Sequence, residues 1–221
     1  MKLQSLIDLA YRFYPENIRE SDRVSYTKST EYGLLKRAIE EGKKKLDPAW
    51  RSMLGDLHAA FQDRQVSELP AYPEDRCYKA AINLKWAKLE IVEESVPESI
   101  VPNEQLPYPQ PPQRSVYFEE HLAIYISLVT PYYAFCKLSA AHGLRMQSSN
   151  FNIDRSSDPF KRSTSIIRQY LPDYDEFPPH FSYQVLERIE IDRSTYCYDT
   201  GSHFQPPAMT LFHAFFTSHL I

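Results

Sequence analysis

Seven histidines and three cysteines are the side chains in this chain best able to bind a metal or attack a substrate. His213 and His219 form the closest histidine pair. A zinc site on one helix wants histidines four apart, so that both face one side. The wider spacing here does not do this, and no Cys-x-x-Cys completes a set, so no metal is expected. Cys136 lies in an apolar stretch with His142 shortly after it. A thiolate nucleophile needs a base or a positive field to lower its pKa. The plainer reading makes Cys136 a small buried hydrophobe, where free cysteine usually goes. Cys197, in Tyr196-Cys197-Tyr198-Asp199, invites the same two readings. Glu93-Glu94 and Glu119-Glu120 are adjacent pairs, which a strand would point to opposite faces. They read as solvated charge. No nucleophile elbow, Walker-type loop or dinucleotide fingerprint is present, and no cofactor is expected.

A different inventory stands out, in which carboxylates and aromatic rings occur together. Between Glu90 and Glu104 the chain carries Glu90, Glu93, Glu94, Glu98 and Glu104 with no Lys or Arg among them. Tyr170, Asp173, Tyr174, Asp175, Glu176 and Phe177 repeat the combination. Tyrosine supplies rigid contact area at interfaces, and carboxylates steer a basic partner. The competing reading is a pair of solvated loops with ordinary anchoring aromatics. The partner-binding residues expected from this pattern are Glu93, Glu94, Glu98, Tyr170, Asp173, Tyr174, Asp175 and Glu176.

Bulk properties narrow the class. With 43% hydrophobic and 24% charged residues, the 221-residue chain has a globular composition. Only 5 glycines argue against Gly-rich phosphate loops, while 16 Tyr and 12 Phe suit a packed sheet or a binding surface. A net charge of −4 gives no support to nucleic-acid binding. Cys77, Cys136 and Cys197 are far apart and odd in number, unlike a disulfide framework. No signal peptide is evident, and nothing approaches the roughly 20 apolar residues of a membrane span. The expectation is a soluble, cytosolic protein.

The elements that must position these groups can be read from periodicity. Leu3, Leu6, Ile7, Ala10 and Phe13 make one helical face ending near Pro15. A second helix is expected from Ser29 or Thr30, with Leu35, Ala38 and Ile39 inward. A third should be capped by Asp47, with Pro48 in its first turn and a stripe of Trp50, Met53, Leu54, Leu57 and Phe61. From Cys77, the alternation of Tyr78, Ala80, Ile82, Leu84 and Trp86 predicts a half-buried strand. Two further strands, about 121–129 and 132–138, are apolar on both faces and should be central. Residues 146–153 are a candidate strand. Asp158-Pro159 opens a helix with Phe160, Thr164, Ile167 and Leu171 on one side, and 185–191 suggests a further strand, although this stretch also tolerates a helical reading. The segment 96–114 is a stiff Pro-rich connection. The apolar stretch from Thr210 to Ile221 should pack into the core. This pattern predicts a single α+β domain over 1–221, a mostly antiparallel sheet with an N-terminal group of three helices packed on it.

The order of these elements also carries a resemblance. Leu9-Ala10-Tyr11-Arg12-Phe13-Tyr14-Pro15 is followed by Tyr32 and the Leu35–Lys44 helix, then Trp50-Arg51-Ser52-Met53-Leu54 and Asp75-Arg76-Cys77-Tyr78. Near the end stand Phe177-Pro178-Pro179, Thr210-Leu211-Phe212 and Phe215-Phe216. This order resembles a group of bacterial immunity-like proteins associated with polymorphic toxin systems. The likeness covers both ends and consists of packing and turn residues. It implies an α+β fold and a non-catalytic protein that binds and neutralises a cognate toxin; it transfers no binding residues. Two other classes stay open: an enzyme of unrecognised family using Cys136 or Cys197, and a structural or adaptor component of a phage or secretion assembly. Neither nucleic acid nor membrane is an expected partner, and the oligomeric state is left open.

Overall fold

The structure, a computed structural model, describes residues 3–14, 26–69, 75–91, 114–142, 146–186 and 209–216. Among them the chain order is α1 (Leu3–Tyr11), α2 (Thr30–Ala60), β1 (Val66–Glu68), β2 (Cys77–Ile91), β3 (Arg114–Ser127) and β4 (Tyr132–His142). Then follow β5 (Met146–Asn150), α3 (Asp158–Tyr170), β6 (Asp175–Glu176), α4 (Pro179–Ser182) and α5 (Leu211–Phe215). The fold is α+β. Its sheet runs β1-β2-β3-β4-β5 with every neighbour antiparallel, and β6 joins β4 in parallel.

β3 and β4 lie inside the sheet, as their apolar character on both faces requires, and β2 is flanked on both sides as well. Leu122, Ile124 and Ile126 point to one face, and Ala123 and Tyr125 to the other, and all are buried. Each face builds its own core. On the first, Ala123, Tyr125, Tyr132, Ala134 and Cys136 meet Leu6 and Ala10 of α1 and Leu211, Phe212 and Phe215 of α5. On the second, Ile82, Leu122, Ile124, Ile126 and Phe135 meet Trp50, Met53 and Leu57 of α2 and Phe160 and Ile167 of α3. The sheet is therefore the middle of three layers.

The expected N-terminal group of three helices needs correction. The second and third are one helix, α2, of 31 residues, running straight through Asp47-Pro48. Its start is capped by Ser29, whose side chain accepts from the Tyr32 N–H. Proline inside a helix costs about 3 kcal/mol, since it removes a hydrogen bond and crowds the preceding turn. Burial on both sides of it outweighs that. Leu46 and Trp50 are both sequestered, and the Trp50 indole stacks on Tyr78 and donates to Glu68 Oε1 at 2.8 Å. Pro48 itself is exposed. An Asp-Pro pair signals a helix start only when nothing holds the preceding turn in place.

α2 is about 46 Å long at 1.5 Å per residue, long enough to serve both layers. Leu35, near its start, belongs to the first core, and Leu46 to Leu57 belong to the second. Ile39 packs against both. The crossing occurs at Gly42, which lies so close to the β3–β4 turn that a Cβ there would overlap the Leu128 carbonyl. Glycine is required here by backbone approach.

A second correction concerns β2. Alternation predicts one buried face over residues 77–82, but Cys77, Lys79 and Ala81 are buried as well as Ala80 and Ile82, so both faces are covered there. The register with β3 then shifts between Asn83 and Lys85. Leu84 is the extra residue of a β-bulge, so every later side chain changes face. Trp86, expected on the buried face with Ile82, now pairs with Glu119 and is 57% exposed. Arg64 fixes the bulge by donating through Nη1 to the carbonyls of Asn83 (3.4 Å) and Leu84 (3.2 Å).

β2 and β3 both run further along their shared ladder than their alternation suggested. Of the expected strand at 185–191, Val185 makes an antiparallel bridge to Thr210, and 187–191 lie outside the described residues. The Pro-rich connection falls outside them up to residue 113, and Arg114 already opens β3. Among the described residues no helix is long and apolar enough to cross a membrane.

Candidate functional site

The acidic-aromatic cluster expected near residue 170 is assembled by one helix end and one strand start. α3 stops at Tyr170, where the Leu171 N–H closes the last turn onto Ile167 O at 2.8 Å. A tight turn follows, with the Tyr174 N–H donating to Leu171 O. The chain then enters β6, placing Asp175 beside Tyr132 and Glu176 beside Tyr133. Phe177 ends the segment as an anchor, buried among Tyr132, Phe215 and Phe216. Burial of Leu171 before the turn and of Phe177 after it holds Asp173 and Asp175 outward.

Asp173 and Asp175 are exposed and take part in no ion pair among the described residues. Glu176 is half-buried and pairs with Arg155 at 2.8 Å. Tyr174 is half-buried, and burial raises its phenol pKa. Tyr170 donates its hydroxyl to Asp56 Oδ2 at 2.7 Å, and that bond raises the Tyr170 pKa further than burial does. Asp56 comes from α2, 114 residues earlier in the chain. It is a member of the site that local sequence patterns cannot show, since only the packing of α2 on α3 brings it there. The corner thus carries Tyr170 bonded to Asp56, the exposed Asp173 and Asp175 in the following turn and strand start, and Glu176 paired with Arg155. It can meet a basic surface with charge and ring together.

The second expected cluster is not placed. Glu93, Glu94, Glu98 and Glu104 lie outside the described residues, and Glu90 is fixed only by its register opposite Ser115. Nothing in the structure brings it to the Tyr170 corner.

The candidate nucleophiles separate clearly. Cys136 is fully buried on β4, and burial pushes its thiol up to about 12. A thiol that stays protonated across the physiological range is a poor nucleophile. Cys77 is likewise buried; burial raises its pKa first, Asp75 adds to that, and Lys79 and Arg76 oppose it. β3 lies between the two cysteines, and two strand spacings are about 9.6 Å, beyond disulfide reach. Cys197 lies outside the described residues.

His213 is used by the fold. Its Nδ1 accepts from the Thr210 N–H at 3.3 Å and sits 2.8 Å from Thr210 Oγ1, while the Thr210 side chain accepts from the His213 N–H. This reciprocal pair caps the start of α5. Its expected neighbour His219 lies outside the described residues, and among those described no three His, Cys, Asp or Glu gather as metal ligands.

A buried polar seam, unexpected from sequence, runs along the first face. Asp75 and Lys79 pair at 2.7 Å with both side chains sealed from solvent. Arg76 donates through Nη1 to His213 O and through its backbone N–H to Phe216 O, and its guanidinium lies 5.2 Å from the Tyr14 ring centre. Ser127 Oγ donates to Phe215 O at 2.8 Å and accepts from the N–H groups of Val129 and Thr130. Arg76 and Ser127 satisfy carbonyls at the end of α5, a helix buried along its whole length. The seam is structural chemistry. Comparison with protein families, with curated proteins and with solved structures finds no match for this chain.

Proposed function

We propose that this chain is an immunity-type protein that binds a cognate bacterial toxin stoichiometrically and so neutralises it. The observation carrying the proposal is the Tyr170 corner. The exposed Asp173 and Asp175 sit in the turn and strand start between the buried Leu171 and Phe177, and α2 fixes Tyr170 beside them through Asp56. Pre-formed charge on a rigid scaffold speeds encounter with a basic partner and lowers the ordering cost of binding. The resemblance in element order supports the toxin as the partner. In a pH-neutral interior the protonated Cys136 thiol weighs against the enzyme alternative at that residue.

The test is co-expression with the product of the adjacent gene. A stable 1:1 complex on size exclusion, together with protection of cells from that product, is the expected result. Asp173→Asn/Asp175→Asn should slow association, and raised salt should reduce the difference from the unmodified protein. Failure of both complex formation and protection would remove the proposal.

A further inference from the structure

The β-bulge that expels Leu84 from the β2 ladder also creates the setting for a second site. We propose that the cleft beside Trp86 binds a neutral saccharide, with one pyranose ring lying on the indole. The cleft has a volume of about 520 Å³, within the range of small-molecule sites. Its lining is mainly polar, unlike the apolar pockets that take drug-like ligands. A suitable occupant is therefore polar over most of its surface and apolar on one face.

The wall of the cleft supplies that one apolar face. Trp86 is 57% exposed, and Tyr117 across the ladder is 39% exposed with its ring centre 5.8 Å away. The π face of an indole carries partial negative charge and attracts polarised C–H groups, such as those on one side of a pyranose. Around it, Gln65 and Asn83 each carry an amide with both donors and an acceptor. Asp63 and Glu119 carry carboxylates, of which Glu119 has one oxygen 3.1 Å from His121 Nε2 and Asp63 lies 3.8 Å from Arg64. A sugar hydroxyl both donates and accepts, so it can use such a mixed set fully.

Charge argues for neutrality. Asp63 and Glu119 are balanced in the lining by Arg64 and Lys85. The Arg64 guanidinium is already engaged with the carbonyls of the bulge. A nucleotide would also stack on an indole, but its phosphates would need a cationic surplus that the cleft does not have. A protein hot spot would place its aromatic at the centre of a large apolar patch, whereas this indole borders a polar hollow. The site shares no residue with the Tyr170 corner, so either proposal can fail without the other.

The chain has two tryptophans, and Trp50 is buried, so the two indole N–H resonances report separately on the core and on the cleft. Trp86→Phe assigns them. The full chain is titrated with methyl glucoside, methyl mannoside, N-acetylglucosamine and their neutral trisaccharides. Concentrations up to about 10 mM would fill about nine-tenths of a site with a Kd of about 1 mM. The expected result is a saturable shift of the Trp86 resonance with at least one neutral sugar and none at Trp50. Trp86→Ala should then weaken binding more than about tenfold, followed through backbone resonances of the cleft. Asn83→Ala and Gln65→Ala, each leaving the indole in place, should weaken it less. No shift with any of these sugars overturns the proposal, as does a shift produced only by sulfated or phosphorylated sugars, or binding undiminished in Trp86→Ala.

Discussion

The two faces of the sheet solve the same packing problem with different materials. On the second face, Ile82, Leu122, Ile124 and Ile126 meet α2 and α3 in an apolar core. On the first, the core includes a sealed Asp75–Lys79 pair, Arg76 and Ser127. The difference follows from helix length. The last turns of α2 and α3 are partly open to solvent, with His58 and Ala59 exposed in one and Arg168 and Gln169 in the other. α5 has five residues, all buried, and its terminal carbonyls fall inside the protein. Each must find a donor there or forfeit a hydrogen bond. The short covering helix accounts for the buried Arg76 and Ser127 on this face.

Substitutions can break this contrast. Lys79→Met removes the cation paired with the buried Asp75 at 2.7 Å and should cost about 4 kcal/mol, measured by urea unfolding. Adding Asp75→Leu should recover much of that loss, because an apolar pair needs no partner. If the double variant is no more stable than the single, the seam is not held mainly by this pair. On the other face, Leu57→Ala should cost about 3 kcal/mol through lost burial and a cavity. No second polar change should rescue it.

Gly42 separates close approach from helix propensity. Gly42→Ala should destabilise by about 1–3 kcal/mol, since the added methyl must push α2 off the Leu128 carbonyl. Gly55→Ala, on the same helix with nothing within 4 Å, should instead stabilise by about 0.5–1 kcal/mol. Thermal unfolding of the two variants gives shifts of opposite sign. Equal signs would mean that α2 does not touch the β3–β4 turn.

A further effect appears only at alkaline pH. The folded Cys136 thiol is raised from 9.0 to about 12, so the folded state keeps a proton that the unfolded state loses first. Its contribution is complete below pH 9 and is lost as pH rises toward 12, by at most about 1.4 kcal/mol per pH unit. Cys136→Ala should flatten that part of the alkaline stability curve. An unchanged slope would show that Cys136 is not shielded as its place on the first face implies.

Much of this architecture is legible in the residues. Alternation between Leu122 and Ile126, apolar on both faces, marks an inner strand without further information. The Phe160–Ile167 stripe likewise marks α3. Pro48 misleads because the helix-start signal is local, while the burial of Leu46 and Trp50 that overrides it is tertiary. The bulge at Leu84 is invisible because its cause, Arg64 reaching the Asn83 and Leu84 carbonyls, lies about twenty residues away. At the candidate site, Tyr170 through Glu176 could be read together because the chain itself joins them. Asp56 could not, since only the packing of two helices makes it a neighbour. Nor could the seam, because Asp75, Arg76 and Lys79 look like ordinary surface charges until α5 covers them.

The passage of α2 across the end of the sheet has a consequence for how the molecule opens. Two cores on opposite faces of a sheet are natural candidates for separate folding units, each able to exchange its amides while the other stays intact. A single helix rooted in both, through Leu35 on one side and Leu57 on the other, removes that independence. Amide exchange at these two positions should therefore report nearly the same opening free energy, and the protein should lose its two layers in one event.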